Sequence, residues 1–268
     1  MNNPLKRFRL NFENFLFFNS LRIGNIFSKY FFKRLNLDAV FKDIAYKGFK
    51  KINHYYSPEE IESLNKLVNR ILDENIHNTE KKVYIERYSG FIKINPSLTS
   101  KYKQFSRYTF DFPFLLISLF FYRMIRIPSA LITIKHDGNF QHPIVPGEVD
   151  KTNGIMDPLC QPHIDSNKHI LKGLVLLDDI ELENGPTGII SGSNRDKLFQ
   201  NFYLKNYPNI ANKSNILDKA LIGKIENELI PTYLTGKKGD LIFVDSNNIH
   251  WASTLKKGCR KILWLHFS

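Results

Sequence analysis

The last thirty residues restrict the architecture most. "GDLIFVD", "IHWAST" and "CRKILWLHF" are short β-branched and aromatic runs, separated only by the turn sequences "SNN" and "KKG". Upstream, "GFKKINHYY", "SALITIK" and "KGLVLLDDI" read as further strands, "ENGPTG" as a turn and "IIS" as one more strand. Short strands divided by turns pair antiparallel and hide their edges by closing on themselves. The pattern predicts a mainly β chain with flanking helices (α+β) and a closed core, a barrel or jelly roll.

Two helices stand out. In "SPEEIESLNKLVNRIL", Ser57 can cap, Pro58 suits the first helical position and Glu60 completes a capping box. Ile61, Leu64, Val68, Ile71 and Leu72 then fall on one face. "FPFLLISLFFY" (Phe112–Tyr122) is apolar all round but about half the ~20 residues a membrane span needs, and reads as a buried helix. Residues 1–45 are aromatic and basic without a clean helical period. They are expected to form a helical extension layered on a main domain of residues 46–268; a membrane-surface helix is the alternative. A long polar loop, Asp137 to Pro162, is expected to act as a functional lid. A polar, helical insert is expected from Arg195 to about Leu229.

The formal charge of +12 admits an anionic partner, but Lys and Arg are scattered without a long run. No nucleic-acid partner is expected, and a membrane contact rests only on the N-terminal region. A small-molecule substrate, anionic or not, is expected. Two cysteines, Cys160 and Cys259, make no C-x-x-C pair or disulfide framework, which fits a reducing, cytoplasmic location. No signal peptide is expected at Lys6, Arg7 and Arg9, because Glu13, Asn14 and Asn19 cut the apolar run that follows.

Chemistry concentrates in "CQPHIDSNKH". On a strand, His163 and Asp165 would share a face, so an imidazole and a carboxylate could meet one ion. His250, after the turn "DSNN", is the natural third ligand. Two histidines and a carboxylate on one side of an ion make the facial arrangement of non-heme Fe(II) oxygenases. If 2-oxoglutarate filled two open positions, its far carboxylate would need a buried cation. Arg260, ten residues after His250 and past a tight turn, can supply a forked contact. Alone, H-x-D is weak, His250 reads as a hydrogen-bonded strand-end histidine and Arg260 as a surface cation. In this order, each on a predicted strand, they are specific.

The pieces "GFKKINHYYSPEEIESL", "PHIDSNKHILKGLVLLDDIELENGPTGIISGSNRD" and "GDLIFVDSNNIHWASTLKKGCRKILWLHF" resemble the phytanoyl-CoA dioxygenase-like family of Fe(II)/2-oxoglutarate oxygenases, from about Gly48 to the C-terminus. The resemblance implies a double-stranded β-helix (jelly roll, cupin-like) with flanking helices. It implies His163, Asp165 and His250 as catalytic iron ligands and Arg260 as the 2-oxoglutarate anchor. It implies a dioxygenase that hydroxylates a small-molecule C–H bond, releasing succinate and carbon dioxide. Related halogenases carry a small residue where this chain has Asp165, so hydroxylation or another oxidation is the expected outcome. The chain departs from the family at Pro162, at "SGSN" (Ser191–Asn194) and at Ala252. These positions bear on substrate and co-substrate contacts and leave the metal ligands intact.

On the strand before the lid, Thr133 and Lys135 share a face, and by the resemblance either can hydrogen-bond the co-substrate. Lys172 and Leu174 share a face of the strand after H-x-D, where Leu174 can wall the pocket. His136, His142 and His169 are weaker ligand candidates, because the triad already satisfies the ion. No phosphate-binding loop, dinucleotide fingerprint or zinc-finger spacing occurs. Two other functions stay open: a membrane-peripheral oxygenase acting on a lipid or acyl thioester, and a non-catalytic β-barrel binding module.

Overall fold

The computed structural model describes residues 37–75, 85–88, 91–136, 163–165, 170–193, 231–253 and 255–267. The expected lid and insert, residues 1–36, Cys160, His142 and His169 lie outside them.

Helix α1 (Leu37–Lys47) buries Val40, Phe41 and Ile44 and runs into strand β1 (Phe49–Ile52). Gly48 joins the two at φ 84°, and a Cβ there would lie 2.2 Å from Asn248 Nδ2. Both facts require glycine. Helix α2 (Pro58–Asn75) has the capping box that its sequence predicts. The Ser57 amide donates to Glu60 Oε2 at 2.8 Å, and the Glu60 amide to Ser57 Oγ at 3.3 Å. Its buried face is Ile61, Leu64, Leu67, Val68 and Ile71; Leu72 is only partly buried at the edge of the core. Helix α3 (Phe112–Tyr122) is the apolar run, with Phe114 and Ile117 fully buried. The Phe114 ring meets Phe243 and Phe267 edge-on, with centroids 5.6 and 6.3 Å apart. Among the described residues no helix is long and apolar enough to cross a membrane.

The remaining strands are β2 (Ile85–Tyr88), β3 (Phe91–Ile94), β4 (Ser129–His136), β5 (Leu171–Leu176), β6 (Thr187–Ile189), β7 (Thr232–Leu234), β8 (Leu241–Asp245), β9 (His250–Ala252) and β10 (Cys259–His266). They form a seven-stranded sheet, β1-β8-β5-β10-β4-β3-β2, and a three-stranded sheet, β7-β6-β9. Every strand pairing is antiparallel, as the short runs and tight turns predict.

Apolar layers cover the large sheet on both sides, which is why all five residues of "LIFVD" on β8 are buried. One layer joins the sheet to the helices through Val175, Leu241, Phe243, Leu263 and Leu265. The other joins it to the small sheet through Leu174, Leu176, Ile242, Val244 and Ile262 on one side and Ile189 and Leu234 on the other. Alternation along β10 divides its residues accordingly. Lys261 points to the helical side, where its ammonium donates to Asn65 Oδ1 at 3.2 Å. Arg260, Ile262, Trp264 and His266 face the small sheet. The register carries this inner face across to Lys135, Thr133 and Leu131 on β4, and to Leu176, Leu174 and Lys172 on β5.

Two local readings change. The strand expected at "IIS" lies earlier, at Thr187–Ile189, because the chain turns at Leu182–Asn184 and Gly185 is left-handed at φ 66°. The H-x-D segment is not a continuous strand. His163 makes a single bridge to His250 and Asp165 sits at a bend, because the Asp165 amide turns away to donate to Ser246 O at 3.2 Å.

Candidate metal centre

His250 opens β9 with a neighbour on either side: Ile189 on β6 and His163. His163 and His250 exchange both backbone hydrogen bonds, each 2.9 Å. Directly paired residues of antiparallel chains present side chains to the same face. Their rings accordingly stand 4.4 Å apart, centroid to centroid. The bend after Ile164 brings Asp165 in front of both. His163 Nε2 lies 3.8 Å from Asp165 Oδ1, and His250 Nε2 3.6 Å from Asp165 Oδ2. Each of the three residues offers one donor atom, and those atoms all lie within 4.8 Å of one another.

Backbone carbonyls hold the arrangement. His250 Nδ1 lies 2.8 Å from the Asn248 carbonyl oxygen. A carbonyl can only accept, so Nδ1 carries the proton and Nε2 presents its lone pair toward Asp165. Burial, with help from His163 and Lys172 and against the pull of Asp165, pushes the His250 ring down to about 4. The imidazole is therefore neutral at pH 7, the form that binds a metal. Burial alone would raise the Asp165 carboxyl. The Lys172 ammonium, followed by His250, outweighs it and holds the group well below the usual carboxylate range. Two imidazoles and one carboxylate fit a divalent cation of the borderline type.

The polar turn between β8 and β9 is the base of the site. Asn248 Nδ2 donates to Asp245 O at 2.9 Å, the Asn247 amide to Asp245 Oδ1 at 3.1 Å, and the Ile249 amide to Ser193 Oγ at 2.9 Å. Ser193, Asp245, Ser246, Asn247 and Asn248 are all buried. Ser193, in the "SGSN" stretch that departs from the family pattern, holds the strand that carries His250.

Arg260 is 5% exposed, on the inner face of β10, and donates to the carbonyl of Gly185. Gly185 lies two residues before β6, so this contact ties the large sheet to the small one. Thr133 shares that inner face and accepts a hydrogen bond from Trp264 Nε1 at 2.8 Å. His136 ends β4 opposite Cys259, away from the three ligand candidates in sequence and register. Burial pushes the Cys259 thiol up to about 12, which leaves it unreactive at neutral pH. Reasoning from the sequence missed the ion pair between Lys172 and Asp165. Its only signal was that Lys172 lies on the strand that follows H-x-D.

No family model matches the chain, and no curated protein matches it by sequence. Solved structures match it by fold. The epimerase SnoN, in complex with Fe3+, 2-oxoglutarate and nogalamycin RO, superposes with a TM-score of 0.58 at 13% identity, over 86% of this chain and 82% of that one. EctD from S. alaskensis, with 2-oxoglutarate and 5-hydroxyectoine, gives 0.57 at 14% identity, over 84% and 73%. HygX from Streptomyces hygroscopicus, with nickel and 2-oxoglutarate, gives 0.54 at 13% identity, over 85% of each chain. At these identities the likeness is one of fold.

Proposed function

We propose that the chain is an Fe(II)- and 2-oxoglutarate-dependent dioxygenase of the phytanoyl-CoA dioxygenase-like kind, which hydroxylates a C–H bond of a small molecule and releases succinate and carbon dioxide. Its core is a closed double-stranded β-helix within residues 46–268, preceded by a helical extension, residues 1–45, and its location is cytoplasmic. One observation carries this reading: His163, Asp165 and His250 bring three donor atoms within 4.8 Å of one another. Solved structures of the same fold with iron or nickel and 2-oxoglutarate bound support it.

Iron and 2-oxoglutarate, when bound, would activate dioxygen, which is the oxidant: one oxygen atom would enter succinate as the co-substrate loses carbon dioxide, and the other would be added at the substrate C–H bond. The chain's own groups bind, orient and exclude. His163, Asp165 and His250 would hold the ion. The Asn248 carbonyl keeps His250 in the binding tautomer. Arg260 is the anchor for the far carboxylate of 2-oxoglutarate, since a buried guanidinium stays charged and pairs in a fork. Thr133 is a hydrogen-bonding partner for the same molecule. Leu174, Ile262 and Trp264 wall the site and keep water from it.

The test is a succinate-release screen with Fe(II) and 2-oxoglutarate across acyl thioesters, amino acids and aromatic or glycosylated metabolites, with the His163→Ala chain as control. The expected result is substrate-dependent succinate in one class, with one oxygen atom added to the substrate. Succinate from the control at the same rate would overturn the reading. Substrate-dependent succinate with an isomerised product would keep the class and replace hydroxylation by epimerisation.

A further inference from the structure

Lys172 stands inside the site with a charge that the proposed chemistry does not use. Its side chain is 15% exposed, its ammonium is ion-paired with Asp165, and it lies 5.8 Å from the centre of the Trp264 ring. The Trp264 ring is itself fixed by its hydrogen bond to Thr133. Opposite Lys172 on β10 stands His266, not an acid. On β4, β5, β8 and β10 the residues that share this face include Lys135, Lys172 and Arg260 and no carboxylate. Among the described residues Lys172 is ion-paired with Asp165, which is also the one anionic ligand of the three candidates; Glu86, on the same face at the far edge of the sheet, stands opposite Lys93.

A charge taken from water needs an opposite charge beside it. With neutral histidines, a divalent ion, Asp165, Arg260 and the dianion of 2-oxoglutarate balance to zero. Lys172 adds one positive charge to that loaded site. A cation that draws on the Asp165 carboxylate also weakens the hold of Asp165 on Lys172. We infer that the site takes one further anion, a carboxylate or similar monoanionic group on the primary substrate, and that Lys172 is the residue that anchors it. This rests on the oxygenase reading. The ammonium over the Trp264 face is a defined socket: the ring supports the cation, and the hydrogens turned away from it are donors to an incoming carboxylate. Lys172 thus selects substrates by charge and sets their position relative to the metal ligands, and neutral analogues of the same shape lack the contact.

The same chemistry could serve a carboxylate of the co-substrate, so the experiment separates the two sources. The full-length protein is loaded with Co(II), whose visible absorption reports its ligands, and titrated with 2-oxoglutarate. The loaded complex is then titrated with hexanoate and, separately, with hexanamide. The expected result is a response to hexanoate and none to hexanamide in the wild type. In Lys172→Met the hexanoate response is at least tenfold weaker while 2-oxoglutarate affinity stays within about twofold. Lys172→Arg, which keeps the charge, restores hexanoate binding. A merely structural lysine would alter both titrations together, and that outcome overturns the proposal. So does a wild type indifferent to hexanoate, or a Lys172→Met chain that loses 2-oxoglutarate instead. Failure of the wild type to bind Co(II), or equal binding by His163→Ala, would overturn the oxygenase reading itself and is seen before any anion is added.

Discussion

Ser193 and Asn248 show how residues that touch no ligand define the site. The Ser193 hydroxyl oxygen accepts a hydrogen bond from the Ile249 amide, one residue before His250, and the Asn248 carbonyl accepts one from the His250 ring N–H. Ser193→Ala leaves a buried amide without its partner, at a cost of roughly 1–3 kcal/mol. Urea denaturation of the metal-free protein should show that loss with an unchanged slope, and metal affinity should fall because β9 is less firmly held. Unchanged stability would mean that the Ile249 amide finds another acceptor. The anchor role of Arg260 is a proposal that rests on the resemblance; the grouping of His163, Asp165 and His250 was legible because ligand chemistry dictates their residue types. The Lys172 contact was not, because it depends on the register of β5 against a bend that the Asp165 amide creates. Ser193 was not legible either, since a lone hydroxyl in a turn carries no signal of which amide it will meet.

Helix α2 was the element best announced by its sequence, because cap, first-turn proline and apolar face are all local. Ser57→Ala removes one half of the capping box and should cost about 1 kcal/mol, read as a lower denaturation midpoint. Gly at the same position should cost only a few tenths. If Ala and Gly prove equally harmless, the two hydrogen bonds between Ser57 and Glu60 contribute nothing to α2. The long strands β4, β5, β8 and β10 were legible from β-branched runs. Strand β7 was not, because three residues after a long polar segment have no periodicity and are fixed only by pairing with β6. The antiparallel pairing of β2 and β3 was overlooked although, in the sequence, "IERY" and "FIKI" flank Ser-Gly, a usable turn signal. Why His163 makes only one bridge could not be read at all, since it is decided by the partner strand.

At the scale of the whole molecule, the inner face combines apolar walls with cations, and this makes folding sensitive to acid. Burial, then Lys172, pushes the His266 imidazole down to about 4, against the pull of Asp165. In the unfolded chain it titrates near ~6.5. Between these values the unfolded chain holds a proton that the folded chain refuses. Stability is therefore fully present above ~6.5 and falls as the pH drops toward 4. Denaturation midpoints of the metal-free protein should decline over that window, and His266→Gln should decline less; identical slopes would remove His266 as a cause. The proposed oxygenase chemistry needs three metal ligands and one carboxylate anchor acting as a unit across the two sheets. The most direct test is an anaerobic titration of the Fe(II)-loaded protein with 2-oxoglutarate, followed by its charge-transfer absorption. Wild type should develop the band with one iron per chain. His163→Ala and His250→Ala should develop none, because each removes one of the three ligands that the proposed site uses. Arg260→Ala should keep its iron and bind 2-oxoglutarate roughly 30-fold or more weakly, the effect of about 2–5 kcal/mol from an unpaired carboxylate. An undiminished band in His250→Ala, or unchanged 2-oxoglutarate affinity in Arg260→Ala, would contradict it.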